Sequence, residues 1–423
     1  MIPVLIILGL IALLLTGLPV AFGLVTFGTL LIVAKGLPLA LIPSNLFGGV
    51  NDFVLLAVPL FLLMSNILLR GGVGRDLFVA VQSWVGHLPG GLGIAALLSC
   101  GIFAAISGSS VTTAATVGTV AIPEMTKRGY GKSFTLGLLA AGGTLGILIP
   151  PSVPLIVYGV IAEQSIGKLF LAGIGPGLAL ILLFGIYAVV AASFGTRAVR
   201  SEKASWTERF SASRRAMPSA LLAAIMLGGI YSGAFTPTEA SGIGASVALL
   251  ITVMQRSLSW RDFLAAVRDS VMTTSVIFLI VIGAKVFGRA ITLYQIPAQV
   301  AHMFEIAGDN RWVFLLIVST ILLFVGLFLE SMSMLLIMVP VFLPTVLGLG
   351  IDPVWFGVYF VLLIEIALIT PPVGLNLFVI QAIAGTGLGT VIRGVTPFVL
   401  LMLLIAVVMC VVPGLALFIP YGL

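Results

Sequence analysis

The chain has 423 residues, of which 60% are hydrophobic and only 8% charged, with a mean hydropathy of +1.28. A soluble globular protein carries about 25% charged residues, so this composition excludes that class and points to an integral membrane protein. The net charge of +6 is no nucleic-acid signal, because the basic residues sit between apolar runs, where the positive-inside bias puts them.

The apolar runs suit helical spans of roughly 20 residues, and the short alternating segments of a membrane β-barrel are absent. Backbone polar groups in hydrocarbon need internal partners, so helices are expected throughout. Met1 leads directly into IPVLIILGLIALLL, without a basic n-region or small-residue cleavage site, which reads as a first span rather than a signal peptide. In chain order, the expected crossings of the first half are 2–15, 19–34, 50–69, 134–164 and 168–192, with a re-entrant hairpin at 91–125. Those of the second half are 217–234, 240–255, 271–293, 353–384 and 389–419, with a hairpin at 312–346. Cys100 and Cys410 lie far apart, and His87 and His302 have no ligand-spaced companions, so no metal or redox motif is visible.

Two stretches break their own helices. GILIPPSVPL (146–155) and LITPPVGLNLF (368–378) each carry adjacent prolines, which lack the N–H that a helix needs. Shifting Pro150 and Pro151 by 221 residues lands on Pro371 and Pro372, and the same shift takes Pro123 to Pro344, Pro176 to Pro397, Ser110 to Ser331 and Thr112 to Ser333. Four prolines out of 22 matching at one offset imply two homologous halves, about 1–210 and 211–423. The loop after Pro123 carries Lys127, Arg128 and Lys132, whereas its counterpart after Pro344 carries no basic residue and one acid, Asp352. Positive-inside logic puts the first in the cytoplasm and the second outside, so the repeat is inverted. The stretch from Thr196 to Arg215, with six basic and two acidic residues, and that from Arg256 to Asp269 are cytoplasmic on the same trace. Gln295 to Arg311, with Glu305, Asp309 and one arginine, suits the outside, and so do both termini.

Inverted repeats with discontinuous helices describe secondary transporters, whose sites lie near the midplane where half-helices meet. Each half offers a Pro-Pro break and a polar, small-residue hairpin turn: ISGSSVTTAAT (106–116) and GLFLESMSM (326–334). A broken helix frees carbonyls at one new end and N–H groups at the other. The carbonyls, with Ser and Thr hydroxyls, suit a small hard cation such as Na⁺, and the N–H ends attract anions. Charges inside spans are functional by default. Glu330 lies at the second hairpin turn, Glu365 one turn before the second break, and Lys285 and Arg289 in FLIVIGAKVFGRAI. Lys285 either holds an anionic substrate, pairs with Glu330 or Glu365, or snorkels to an interface. Glu239 and Glu163 have helix-cap or inter-helix readings. No GxSxG, HExxH or Walker A motif occurs, which disfavours an intramembrane enzyme and leaves an ion gradient as the energy source.

Several motifs carry a family resemblance: SGSSVTTAATVGTVAIPEMTKRGY, AAGGTLGILIPPSVPLIVYGV, SIGKLFLAGIGPG, FTPTEASG and LITPPVGLNLFV. With them, essentially the whole chain resembles the large membrane subunit of TRAP transporters (DctM-like). The resemblance implies Na⁺-driven uptake of organic anions such as C4-dicarboxylates or sialic acid across a bacterial inner membrane. It implies a periplasmic binding protein that delivers the solute and a small four-helix membrane subunit. That subunit is expected to be separate here, because MIPVLIILG leaves no room for a fused one. It further implies two or more Na⁺ ions, no organic cofactor, and a mobile transport domain of hairpins and broken helices working elevator-like against a scaffold. One Na⁺ would lie among Ser107, Ser110, Gly146, Ile149 and Pro150, and its mate among Gly326, Ala367, Thr370 and Val373. The substrate would sit near Ser107, Ser110, Ser152, Glu330 and Asn376, where Glu330 occupies an acidic position more often filled by Asp. Lys285 matches no family motif. The alternatives are a stand-alone Na⁺/anion symporter, which the fold also resembles, and an anion channel.

Overall fold

The computed structural model describes residues 2–38, 42–43, 46, 52–195, 202–306, 310–372 and 374–422. These residues form helices and turns, with no strand among them. Helices α1 (Ile2–Leu15) and α2 (Val20–Ala34) open the chain, and a 3-10 turn (Phe53–Leu56) leads into α3 (Ala57–Arg70) and α4 (Val73–Val85). A helix-turn-helix pair follows, α5 (Gly91–Ser107) and α6 (Ser110–Lys127). Then α7 (Lys132–Leu148) and α8 (Val153–Ala162) flank the first Pro-Pro pair, before the long α9 (Ile166–Gly195). The remainder starts with α10 (Trp206–Tyr231), α11 (Pro237–Met254), α12 (Trp260–Leu293) and α13 (Ile296–Ile306). A second helix-turn-helix pair is formed by α14 (Arg311–Val325) and α15 (Ser331–Gly348). Helices α16 (Pro353–Leu368) and α17 (Leu375–Ala384) flank the second Pro-Pro pair, and α18 (Leu388–Val411) and α19 (Gly414–Tyr421) end the chain.

Among the described residues, seven stretches are long and apolar enough to cross a membrane: Phe53–Arg70, Lys132–Ala162, Ile166–Ser193, Pro237–Met254, Trp260–Leu293, Ser331–Gly348 and Leu388–Val411. Ser331–Gly348 is the second arm of the expected re-entrant hairpin, and by length alone it also suffices to span. The two helices that precede the breaks form the centre. Every residue of α7 from Thr135 and of α16 from Val354 is buried. A helix apolar on all sides has no solvent or lipid face and must be enclosed by others. α7 packs on α5, α6 and α18, while α16 packs on α14, α15 and α9. Around this centre, α2 lies along α12 and α3 along α11, α6 touches α17, and α8 touches α15.

Some elements depart from the expected trace for identifiable reasons. α4 was not anticipated, because VGRDLFVAVQSWV is short and amphipathic. It buries Val73, Leu77 and Phe78 beside α5 and α10. α13 is likewise a short helix outside the long apolar runs. α10 and α12 begin about three turns before their expected crossings, because polar caps start them. Ser205 accepts from the Glu208 N–H at 3.3 Å, and Glu208 accepts from the Ser205 N–H at 2.7 Å in return, which is a capping box. The Ser205 N–H and hydroxyl, both donating to it, hold the Glu208 carboxyl below its usual range. Thr236 and Glu239 form the same box at the start of α11, so Glu239 is a cap. The expected crossing 389–419 is divided. Pro413 offers no N–H, Val412 leaves helical geometry, and α19 turns back along α9.

Candidate substrate and ion site

A cavity of about 640 Å³ lies where the two helix pairs and the two breaks meet. Its wall takes residues from the first turn of four helices: Ser110 and Val111 of α6, Val153 and Pro154 of α8, Ser331 and Ser333 of α15, and Leu375 of α17. The first N–H groups of a helix lack intrahelical partners and carry partial positive charge. Four such ends on one cavity, with the hydroxyls of Ser109, Ser110, Ser331, Ser333 and Thr273, make it attractive to an anion. Glu330 is the one charged residue among the described residues of the wall. α2 and the residue before it, through Pro19 to Phe22, and α12, through Thr273 to Ile280, also line it.

The first hairpin tip rests against the first break. Ser109 caps α6, accepting from the Thr112 N–H at 3.4 Å, and the Ser107 hydroxyl shares a 2.8 Å hydrogen bond with Thr113. Gly108 holds a left-handed φ of +59°, and a Cβ there would lie 2.6 Å from the Pro151 carbonyl oxygen. A Cβ on Gly146 would lie 2.6 Å from the Ser109 carbonyl oxygen. The i+4 donors for the carbonyls of Gly146 and Ile147 would be Pro150 and Pro151, which have no N–H to give. The carbonyl end of α7 and the hydroxyl-bearing tip therefore meet closely, as an oxygen-ligated cation requires. The Pro150–Pro151 and Pro371–Pro372 peptides are both cis.

The second tip meets the second break in the same manner. A Cβ on Gly326 would lie 2.4 Å from the Ala367 Cβ. Pro371 and Pro372 deprive Ala367 and Leu368 of their i+4 donors, and the Ala367 carbonyl accepts from the Thr370 N–H at 3.1 Å instead. The Thr370 hydroxyl donates back to the Ile366 carbonyl at 2.6 Å. Glu330 caps α15, accepting from the Ser333 N–H at 2.9 Å and the Ser333 hydroxyl at 3.0 Å. Ser152 caps α8, accepting from the Leu155 N–H at 3.4 Å.

Of the residues expected at the substrate, Ser110 and Glu330 line the cavity. Ser107, Ser152 and Asn376 are buried beside wall residues Gly108, Val153 and Leu375. Lys285 lies elsewhere. Its side chain is exposed, it does not line the cavity, and among the described residues it forms no ion pair with Glu330 or Glu365. The residues expected at the ions gather at the two breaks as described, except Val373, which lies outside the described residues. Sequence reasoning missed Ser109, Thr113 and Gly143, whose carbonyl oxygen lies 3.2 Å from the Ser110 hydroxyl oxygen. Shifting Ser109 by 221 residues reaches Glu330, so the two N-caps occupy equivalent positions and the shift was the available signal.

A cavity lined by the ends of interrupted helices, inside a multi-spanning helical bundle, defines the class as a secondary-transporter architecture. The family model described as the DctM component of the tripartite ATP-independent periplasmic transporters matches residues 7–415, and the chain belongs to that family. It is 40% identical to the C4-dicarboxylate TRAP transporter large permease protein DctM of Pseudomonas aeruginosa, over 89% of this chain and 88% of that protein. It is 36% identical to the sialic acid TRAP transporter large permease protein SiaM of Vibrio cholerae, over 97% of both chains. Its fold is similar to that of the Alcanivorax borkumensis YdaH transporter, with a TM-score of 0.61 at 15% identity, over 91% of this chain and 89% of that one.

Proposed function

We propose that this large permease subunit imports a carboxylate-bearing solute across a bacterial inner membrane, driven by Na⁺ and fed by a periplasmic binding protein. The observation that carries this reading is the convergence of four helix N-termini and several hydroxyls on one cavity, whose single charged residue among the described wall residues, Glu330, is engaged in capping α15. Partial positive charge of that kind holds an anion without locking it in a buried ion pair. Release on the far side then stays easy. The named cargoes of the two relatives, a C4-dicarboxylate and sialic acid, are both carboxylates.

The carbonyl ends of α7 and α16 supply the cation side. One Na⁺ binds among Ser107, Ser110, Gly146, Ile149 and Pro150, and a second binds through Gly326, Ala367 and Thr370. The halves 1–210 and 211–423 are inverted copies of each other. Shifting α6 by 221 residues gives the bounds of α15, and the pairings α2–α12, α6–α17 and α7–α18 map onto α11–α3, α15–α8 and α16–α9. The hairpins and broken helices move as one body against the remaining helices and a separate small membrane subunit, and both termini face the periplasm.

Uptake into proteoliposomes holding this chain and its small subunit, supplied with loaded binding protein, is expected to vanish when K⁺ replaces Na⁺. Unchanged uptake in K⁺ would sink the coupling. Uptake that needs no binding protein would favour a stand-alone symporter, and conduction without saturation or uphill accumulation would favour a channel. Ser110→Ala and Thr370→Ala, which remove one hydroxyl from each ion site, are each expected to raise the Na⁺ concentration for half-maximal uptake several-fold. A hydrogen bond or ligand of this kind contributes about 1 kcal/mol. An unaltered Na⁺ dependence in both variants would remove these hydroxyls as ligands.

A further inference from the structure

Glu365 and Asn376 are buried polar groups that neither break site uses. Glu365 is 0% exposed on α16, one turn before the second break. One of its carboxyl oxygens accepts from the Ser110 hydroxyl, and the other, Oε1, has no hydrogen-bond partner among the described residues. Asn376, at the start of α17, is also 0% exposed. Its amide nitrogen donates to the Ala140 carbonyl at 3.4 Å, and its Oδ1 has no partner among the described residues. The Ser110 Oγ lies 3.2 Å from the Gly143 carbonyl oxygen. Ala140 and Gly143 stand about one turn apart on α7, so Asn376 and the Ser110–Glu365 pair dock on neighbouring rungs of one helix. Oxygens from α6, α16 and α17 thus lie buried along about one turn of α7.

A buried carboxylate is ordinarily paired with a cation, protein or metal. No lysine, arginine or histidine forms an ion pair with Glu365 among the described residues. The donor set is all oxygen, with a single acid and no cluster of His, Cys, Asp or Glu among the described residues. It matches one positive charge and a hard cation rather than a transition metal. The 221-residue shift takes Glu365 to Thr144 and Asn376 to Leu155, so the first half has no equivalent carboxylate or amide at these positions.

We propose that Glu365 and Asn376 are ligands of a further buried Na⁺ site, completed by Ser110 and the α7 carbonyls and present once per chain. The proposal rests on the Na⁺ reading above, and it ties occupancy of this ion to the seating of the first hairpin tip on the second half. The test is equilibrium binding of radioactive Na⁺ to the purified chain with its small subunit, in choline buffer, alongside the Na⁺-induced rise in melting temperature. Glu365→Gln is expected to bind one fewer Na⁺ per chain than wild type and to lose part of the thermal rise. Glu365→Asp is expected to restore the count at weaker affinity. Asn376→Ala is expected to raise one half-saturation concentration about tenfold, and it decides the matter if Glu365→Gln does not fold. Wild-type counts and half-saturation in Glu365→Gln, or in Asn376→Ala if only that variant folds, would overturn the site. A carboxyl that is simply protonated gives that same overturning result. The two readings fail separately. Uptake that persists in K⁺ removes Na⁺ coupling without touching the ion count, whereas Na⁺-driven uptake with unaltered binding in the variants removes this site alone.

Discussion

Gly146→Ala is expected to lower the initial rate of substrate uptake by roughly 10- to 100-fold in a chain that still inserts and purifies. The added methyl is the smallest possible change, and what it meets makes it severe. A Cβ at this position would lie 2.6 Å from the Ser109 carbonyl oxygen, 2.7 Å from the Thr113 hydroxyl and 2.8 Å from the Ser109 carbonyl carbon. Two of these atoms are backbone, so no rotamer relieves the contact. The hairpin tip must move away from α7 by a large part of an ångström. That motion spreads the oxygens around the first break and shifts the start of α6, which lines the cavity. Misplacement on the scale of 1 Å can cost about 100-fold in rate where positioning is the function. The second half shows the same need for a small partner in reverse. There the broken helix carries Ala367 and the glycine, Gly326, sits on the hairpin side, 2.4 Å from the Ala367 Cβ were it given one of its own. Gly326→Ala should therefore fail in parallel. Uptake normalised to inserted protein, read beside the melting temperature without Na⁺, checks both. Wild-type uptake from folded Gly146→Ala would show that tip and helix need not touch.

What the sequence revealed was local. Paired prolines end a helix wherever they fall, so both breaks were legible at Pro150–Pro151 and Pro371–Pro372. The polar turns at Gly108–Ser109 and around Glu330 were legible from composition, because glycine and serine favour turns over helix interiors. Features that depend on a partner distant in the chain were not. The hydroxyl of Ser110 meets Glu365 across 255 residues, and no periodicity encodes that pairing. Lys285 stood out as an interior cation because its run is apolar on every side. Which face of such a helix looks inward is set by its neighbours, and here Gly283, Ala284, Val286 and Phe287 are buried while Lys285 is exposed. The role of Glu330 was hidden differently. Glutamate is not a favoured N-cap residue, so its capping of α15 is visible only once Ser109 is seen doing the same for α6. The amphipathic α4 and the short α13 escaped because hydropathy marks long apolar runs and nothing shorter.

Gly394→Leu is expected to destabilise the chain by about 3 kcal/mol or more and to lower its melting temperature sharply, whereas Gly389→Leu on the same helix should be close to neutral. α7 and α18 cross with their backbones in contact. A Cβ on Gly394 would lie 1.8 Å from the Ser133 carbonyl oxygen, and one on Gly137 would lie 2.0 Å from the Gly394 carbonyl. The Ser133 hydroxyl, one turn away, donates to the Thr390 carbonyl at 2.8 Å. Beside the crossing, Phe398 packs edge-on against Phe184 and Tyr187, with ring centroids 5.2 and 5.0 Å away. Forcing the helices apart opens all of these contacts at once. In lipid there is little hydrophobic gain to offset the loss, since helix association there depends on close packing and interhelical hydrogen bonds. Overpacking a core costs about 1–3 kcal/mol even where side chains can yield, and here the obstacle is backbone. Among the described residues nothing lies within 4 Å of a Cβ added at Gly389, so a leucine there only trades a glycine for a better helix former. Thermal unfolding followed by size-exclusion chromatography compares the two. A Gly394→Leu chain that melts with the wild type would mean that α7 and α18 are not held together by this crossing. α7 would then be held chiefly by its packing on α5 and α6.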